Sequence, residues 1–170
     1  MHYIDMIDYI NDYTERHGRD KKLERFEKKI IRKGNALDIY LFAKEVNYAD
    51  ITALEKAIIK AGDLSYIYQF AKYVMFSEDL QNVILNFGDP YYIFAFARDV
   101  ESADIKALQR KIIEIGEYDY IYRFANEVKG ADLEALEKAV LAENNPNHIK
   151  DFKKYIKARK IEEENEKAWE

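Results

Sequence analysis

Cysteine is absent from the 170 residues, and glycine (6) and proline (2) are scarce. Without cysteine there is no disulfide, no thiolate metal site and no thiol nucleophile. So few turn formers argue against a strand-and-turn fold and against a glycine-rich phosphate loop. Histidine is nearly as rare. His2, His17 and His148 are neither i, i+4 from one another nor framed as His-Glu-x-x-His, so no metal and no cofactor are expected. Ser65, Ser77 and Ser102 have no histidine beside them in sequence, and the Glu-x-x-His pairs of a helical carboxylate metal site are missing. The chain is therefore read as not an enzyme. It also lacks any run of about 20 apolar residues. The N-terminal Met1-His2-Tyr3-Ile4-Asp5 has no basic region leading into an apolar one, so no membrane partner is expected and a cytoplasmic location is.

What is present suits amphipathic helices: 48% hydrophobic residues, 35% charged, and 14 tyrosines. Self-similarity organises them. Phe42-Ala43, Phe70-Ala71, Phe96-Ala97 and Phe124-Ala125 recur at steps of 28, 26 and 28 residues, and Phe152 follows 28 later with Lys153 in place of alanine. Gly34, Gly62, Gly88 and Gly116 stand eight residues before each phenylalanine, and Asn144 takes the fifth place. Glycine and asparagine are the residues that tolerate a left-handed helix cap. Counting from the phenylalanine, the apolar positions are −3 (Ile39, Ile67, Ile93, Ile121, Ile149), 0, +1 and +4 (Val46, Val74, Val100, Val128, Ile156). These offsets are the i, i+3, i+4, i+7 stripe of a helix with one buried face, here helix A.

Helix B precedes each glycine: Asp50 to Ile59, Asp104 to Ile113 and Asp132 to Leu141, each aspartate a natural N-cap. Leu23, Phe26, Ile30 and Ile31 supply an earlier helix B, and residues 3–16 a divergent first helix with Tyr3, Ile4, Ile7 and Ile10 on one side. Pro90 and Pro146 follow Asp89 and Asn145, so both occupy the first position of a helix A. Units of this kind cannot bury their stripes alone. The expected fold is all-α, an α-solenoid of antiparallel helix pairs with a period of about 28 residues. The expected organisation is one domain over 1–170: a capping helix over 1–19, a repeat body over 20–145, and a long C-terminal helix with an acidic tail over 146–170.

The unit resembles short HEAT-like helical repeats of the phycobilisome-lyase kind, in which a Gly-Asp-Pro turn opens a helix. Gly88-Asp89-Pro90 matches that turn fully and Gly62-Asp63 in part. The resemblance implies a scaffold class, not an activity. Tyrosine and phenylalanine stand here where that repeat carries smaller aliphatics.

Two tyrosine-rich columns flank the stripe. Position −4 carries Asp38, Tyr66, Tyr92, Tyr120 and His148; position −2 carries Tyr40, Tyr68, Phe94, Tyr122 and Lys150. At 100° per residue both lie beside the core face, which predicts half-buried rings that either pack between repeats or meet a protein partner. Positions −1 (Leu41, Gln69, Ala95, Arg123) and +2 (Lys44, Lys72, Arg98, Asn126) are expected to be exposed. Between Val74 and Gly88 the central unit is two residues short and reads Met75-Phe76-Ser77-Glu78-Asp79, with Phe87 before the glycine and Tyr91 beside Tyr92. Either large side chains refill the space left by the deletion or the segment offers an apolar patch. In both readings Ser77 caps the shortened helix.

Charge is uneven. Residues 16–33 hold nine Lys/Arg against three acids, whereas residues 34–150 hold twelve against nineteen. Lys153, Lys154, Lys157, Arg159 and Lys160 form a second basic stretch. The expected partner is another protein, with Met75, Phe76, Phe87, Tyr91, Tyr66, Tyr68, Tyr92, Arg98, Tyr120, Tyr122 and Arg123 as candidate contacts. An inhibitor or adaptor from a phage or bacterium, docked on a host protein complex, is the form considered. The alternative is nucleic-acid or nucleotide binding through the basic ends and the tyrosine columns, with Arg16, Arg19, Lys21, Lys22, Arg25, Lys28 and Lys29 as contacts to phosphate or to an acidic partner. The glutamate-rich tail from Glu162 to Glu170 is read as a frayed helix end or a solubilising cap. Trp169, within it, is the chain's one tryptophan.

Overall fold

A computed structural model describes the backbone of residues 3–167 and the side chains of residues 6–159 and 161. Among the described residues the chain is all-helical, with no strand. His2, Trp169 and the side chains of Tyr3, Ile4 and the acidic tail fall outside the described set. The helices form two compact units, Met1–Phe87 and Gly88–Glu170.

The first unit contains α1 (Tyr3–His17), α2 (Lys21–Lys33), α3 (Ala36–Glu45), α4 (Ile51–Ala61), α5 (Leu64–Tyr73) and α6 (Glu78–Phe87). Here α3 and α5 are A helices and α2, α4 and α6 are B helices. Neighbours pack in sequence order: α2 against α3 and α4, α3 against α4 and α5, and α6 against α4 and α5. The second unit contains α7 (Pro90–Asp99), α8 (Ile105–Ile115), α9 (Tyr118–Glu127), α10 (Leu133–Glu143) and α11 (Pro146–Lys167). There α7 packs against α8 and α9, α9 against α8 and α10, and α10 against α11. This is the expected repeat-type, solenoid-like packing.

The phenylalanine column is the core. Phe42, Phe70, Phe96 and Phe124 are fully buried and Phe152 nearly so, with the alanines at +1 tucked beside them. Burying each ring contributes about 1.5–3 kcal/mol. The B helices end as the glycines require: Gly34, Gly62 and Gly116 adopt left-handed φ of 68°, 73° and 77°, and Asn144 does the same at 59°. Asp50, Asp104 and Asp132 accept hydrogen bonds from backbone N–H groups three residues on, as N-caps should. Pro90 opens α7 behind Asp89, which caps Tyr91 and Tyr92.

One boundary is shorter than the stripe suggested. Helices α3, α7 and α9 stop at +3, and Val46, Val100 and Val128 at +4 are extended residues whose N–H groups bond to the phenylalanine carbonyl. Each valine carbonyl then accepts from the alanine N–H three residues later, at Ala49, Ala103 and Ala131. A four-residue Val-x-x-Ala turn thus delivers the chain to the aspartate cap. The central connection lacks that turn: Val74 is in a right-handed conformation, Met75 N–H bonds to the Phe70 carbonyl, and Ser77 caps α6 by accepting from Leu80 N–H.

The structure adds a buried polar column that recurs with the same steps on the B helices. Glu27, Glu55, Gln81 and Gln109 are all buried, and Glu137 is half-buried. Glu27 accepts from Asp50 N–H at 2.6 Å and from both terminal nitrogens of Arg19 at 2.8 Å. Glu55 accepts from the Ser77 hydroxyl. Gln109 both accepts from Asp132 N–H (2.8 Å) and donates to the Asp132 carbonyl (3.0 Å). Each of these three side chains ties a B helix to the start of the next B helix.

Candidate functional site: an aromatic groove on the second unit

Helices α3, α5, α7 and α9 are only 10 residues long, so the columns flanking their stripe decide what the surface offers. The expectation of uniformly half-buried rings needs correction: Tyr40 is 5% exposed and Phe94 0%. The reason is that the −2 ring of one A helix meets the −4 ring of the next, Tyr40 against Tyr66 at 6.0 Å between centroids and Phe94 against Tyr120 at 6.4 Å. Burial raises the Tyr40 pKa above the ordinary tyrosine value, the adjacent Lys44 ammonium opposing the shift. Position −1 is likewise not an exposed column. Ala95 is buried, and Leu41, Gln69 and Arg123 are half-buried. Ala95 is a short side chain flanked three and four residues away by Tyr91, Tyr92, Arg98 and Asp99.

The −2/−4 pairing changes between α9 and α11. The −4 residue of α11 is His148, which stacks on Tyr118 at 3.8 Å and an interplanar angle of 7°. Tyr122 instead faces Tyr155 at 5.3 Å and Phe152 at 6.3 Å. Tyr155 is pinned there by donating its hydroxyl to the Ala125 carbonyl at 2.7 Å. The result is an open groove of about 810 Å³. Tyr118, Tyr120, Tyr122 and Tyr155 form its aromatic walls, while Asp119, Arg123, Asp151 and Lys154 supply its charges. That volume lies in the range of ligand-holding clefts, roughly 300–1,000 Å³.

The charges are not equivalent. Arg123 bonds to Glu127 and lies over the Phe94 and Tyr120 rings at 4.4 and 5.9 Å. Asp119 and Asp151 have no ion-pair partner among the described residues. The Tyr118 hydroxyl is shielded from solvent and has no hydrogen-bond partner among the described residues. Such an orphaned group costs about 1–3 kcal/mol. Its pKa is raised, first by burial and then by the field of Asp151, Tyr122, Asp119 and Glu143, so it stays protonated. Asp119 and Asp151 thus place a negative field on the Tyr118 hydroxyl, while Lys154, on the same groove, also has no ion-pair partner among the described residues.

Of the expected contact residues, Tyr120, Tyr122 and Arg123 meet in this groove. Tyr118, Asp119, Asp151, Lys154 and Tyr155 were missed. The available signal was at −6, where Tyr118 replaces the Ala36, Leu64 or Pro90 of other repeats. Arg98 is held by Asp99 and Glu127, and its pKa is pushed up chiefly by the Asp99 hydrogen bond. Tyr92 packs edge-on against Tyr91, which is 49% exposed. In the first unit, Tyr66 and Tyr68 are half-buried, with Lys72 over the Tyr68 ring. Met75 and Phe76 are half-buried as well, whereas Phe87 is 67% exposed and fills no space left by the deletion.

The basic candidates divide. Arg16 pairs with Asp12, Arg19 with Glu27, and Lys22 bonds to the Tyr9 hydroxyl while lying over the Tyr13 ring at 4.0 Å. Lys21, Arg25, Lys28 and Lys29 are exposed, and Arg32 belongs with them. Among the described residues, no group of three or more His, Asp or Glu is placed to hold a metal ion, and no helix is long and apolar enough to cross a membrane. Comparison with protein-family models, curated proteins and solved structures gives no match.

Proposed function

We propose that the chain is a non-catalytic binding module of the HEAT-like helical-repeat class, whose 88–170 unit holds a segment of another protein in the groove between α9 and α11. One observation carries this reading: three tyrosine rings, Tyr118, Tyr122 and Tyr155, converge with Arg123 on a single open concavity. Tyrosine and arginine dominate the energetic centres of protein interfaces, because a rigid ring buries much area for little conformational entropy. The two carboxylates without ion-pair partners commit the segment to one that offers an arginine or lysine side chain, which would lie across aromatic faces toward Asp119 and Asp151.

Peptides selected on the full-length chain from a displayed random library test this. The expected outcome is enrichment of arginine or lysine. A selected peptide is expected to bind at least tenfold more weakly to Asp119→Asn/Asp151→Asn, a pair of exposed positions whose change leaves the fold intact, and to Tyr122→Ala. Selected peptides without a basic residue, or with affinity unchanged in both variants, would refute the assignment.

A further inference from the structure

Every exposed residue of α2 is a cation: Lys21, Arg25, Lys28, Lys29, Arg32 and Lys33. This is on a chain whose net charge is −5. Arg25, Lys28, Lys29 and Arg32 follow the i, i+3, i+4, i+7 spacing of one helix face, and none has an ion pair or hydrogen bond among the described residues. Arg16, Arg19, Lys44, Arg98, Lys111 and Arg123, by contrast, each have an acidic partner. Arg32, in the last turn, suits the helix dipole, but like charges one turn apart, as Arg25 with Lys28 and Lys29 are, destabilise a helix. These four side chains alone line a cleft of about 250 Å³.

We infer that the outer face of α2 binds the phosphodiester backbone of a nucleic acid, independently of base sequence and of the aromatic groove. Three features select that polyanion. The exposed positions of α2 include no aromatic or aliphatic side chain, which a protein hot spot would need and where lysine is depleted. For the same reason nothing on this face inserts into a lipid surface. The four cations repeat along one edge about 10 Å long at the helical rise, suiting a linear array of phosphates. The acidic remainder of the chain does not cancel this field, because charges beyond about 10 Å are largely screened at 0.1 M salt.

The test is fluorescence anisotropy of a labelled 25-base-pair duplex DNA and a 25-nucleotide single strand with the full-length chain, between 50 and 200 mM KCl. Four phosphate contacts predict a log–log slope near −3.6 on duplex, so affinity should fall about 150-fold over that range. Arg25→Gln/Lys28→Gln/Lys29→Gln/Arg32→Gln alters exposed side chains only and should flatten the slope and abolish binding at 100 mM KCl, with the helical circular dichroism unchanged. Lys106→Gln/Lys138→Gln, exposed on other B helices, should leave affinity intact. No binding of either nucleic acid at 50 mM KCl would overturn the inference. So would an affinity or slope that the quadruple variant preserves, or tighter binding to polyglutamate or to phosphatidylserine vesicles than to nucleic acid.

Discussion

Replacing Gln109 by glutamate probes how one repeat is tied to the next inside the second unit. Gln109 is 5% exposed, and its amide meets both polar groups of the Asp132 backbone, accepting at 2.8 Å and donating at 3.0 Å. In Gln109→Glu the acceptor survives, but the donor becomes a second acceptor opposite a carbonyl. One lost hydrogen bond removes about 0.5–1.5 kcal/mol, and a shielded charge facing a carbonyl adds about 1–3 kcal/mol. The variant is therefore expected to be about 1.5–4.5 kcal/mol less stable at pH 7 in urea unfolding followed by circular dichroism. The deficit has a pH signature. The folded environment disfavours the ionised carboxyl, raising its pKa above the ordinary glutamate value of about 4.3. Protonation restores a donor, so the deficit is absent below about pH 4.3 and opens as pH rises through the raised folded-state value. A difference from the parent smaller than about 0.5 kcal/mol at pH 7, or one that does not change between pH 4 and pH 7, would refute the reasoning. The same logic explains the column's composition: Glu27 and Glu55 face donors only, Arg19 with Asp50 N–H and the Ser77 hydroxyl, and there a carboxylate serves.

Three further outcomes follow from local geometry. Tyr48 is 60% exposed and held at φ 63°, at the repeat position that Gly130 occupies at φ 82°; Tyr48→Gly is expected to raise stability by up to about 1 kcal/mol in urea, relief of left-handed strain exceeding the added chain entropy. A Cβ on Gly116 would meet no atom within 4 Å, so Gly116→Ala should cost only the strain of φ +77°, about 1 kcal/mol, and Gly116→Asn less, as Asn144 shows at the same position. The Asp20 carboxyl is held below the usual aspartate range, first by the Tyr13 hydroxyl and then by Leu23 N–H. Its contribution to capping α2 is present above the ordinary value of about 3.9 and is lost as pH falls through the lower folded one. Tyr13→Phe should move that carboxyl's titration, followed by carbon NMR, up toward the ordinary value, and an unmoved titration would contradict the assignment.

The division between what the chain order shows and what folding decides runs through single residues. Helical period alone places Phe42, Phe70, Phe96, Phe124 and Phe152 in one column, and the glycine step alone marks where Gly34, Gly62 and Gly116 turn left-handed, because both depend on local geometry repeated at a fixed interval. The sequence by itself thus determined the all-α repeat, its caps and its core. Helical phase gives the direction in which a side chain leaves its helix but not what stands there. Tyr40 and Tyr122 share one repeat position; Tyr40 is sealed beside Tyr66, while Tyr122 opens onto a groove because His148 and Tyr155 follow it on α11. Arg19 and Arg25 belong to one basic run, yet Glu27 neutralises the first and nothing on α2 answers the second. Only the tertiary structure decided which tyrosines and which cations remain available to a partner, since pairing and burial depend on neighbours distant in the chain.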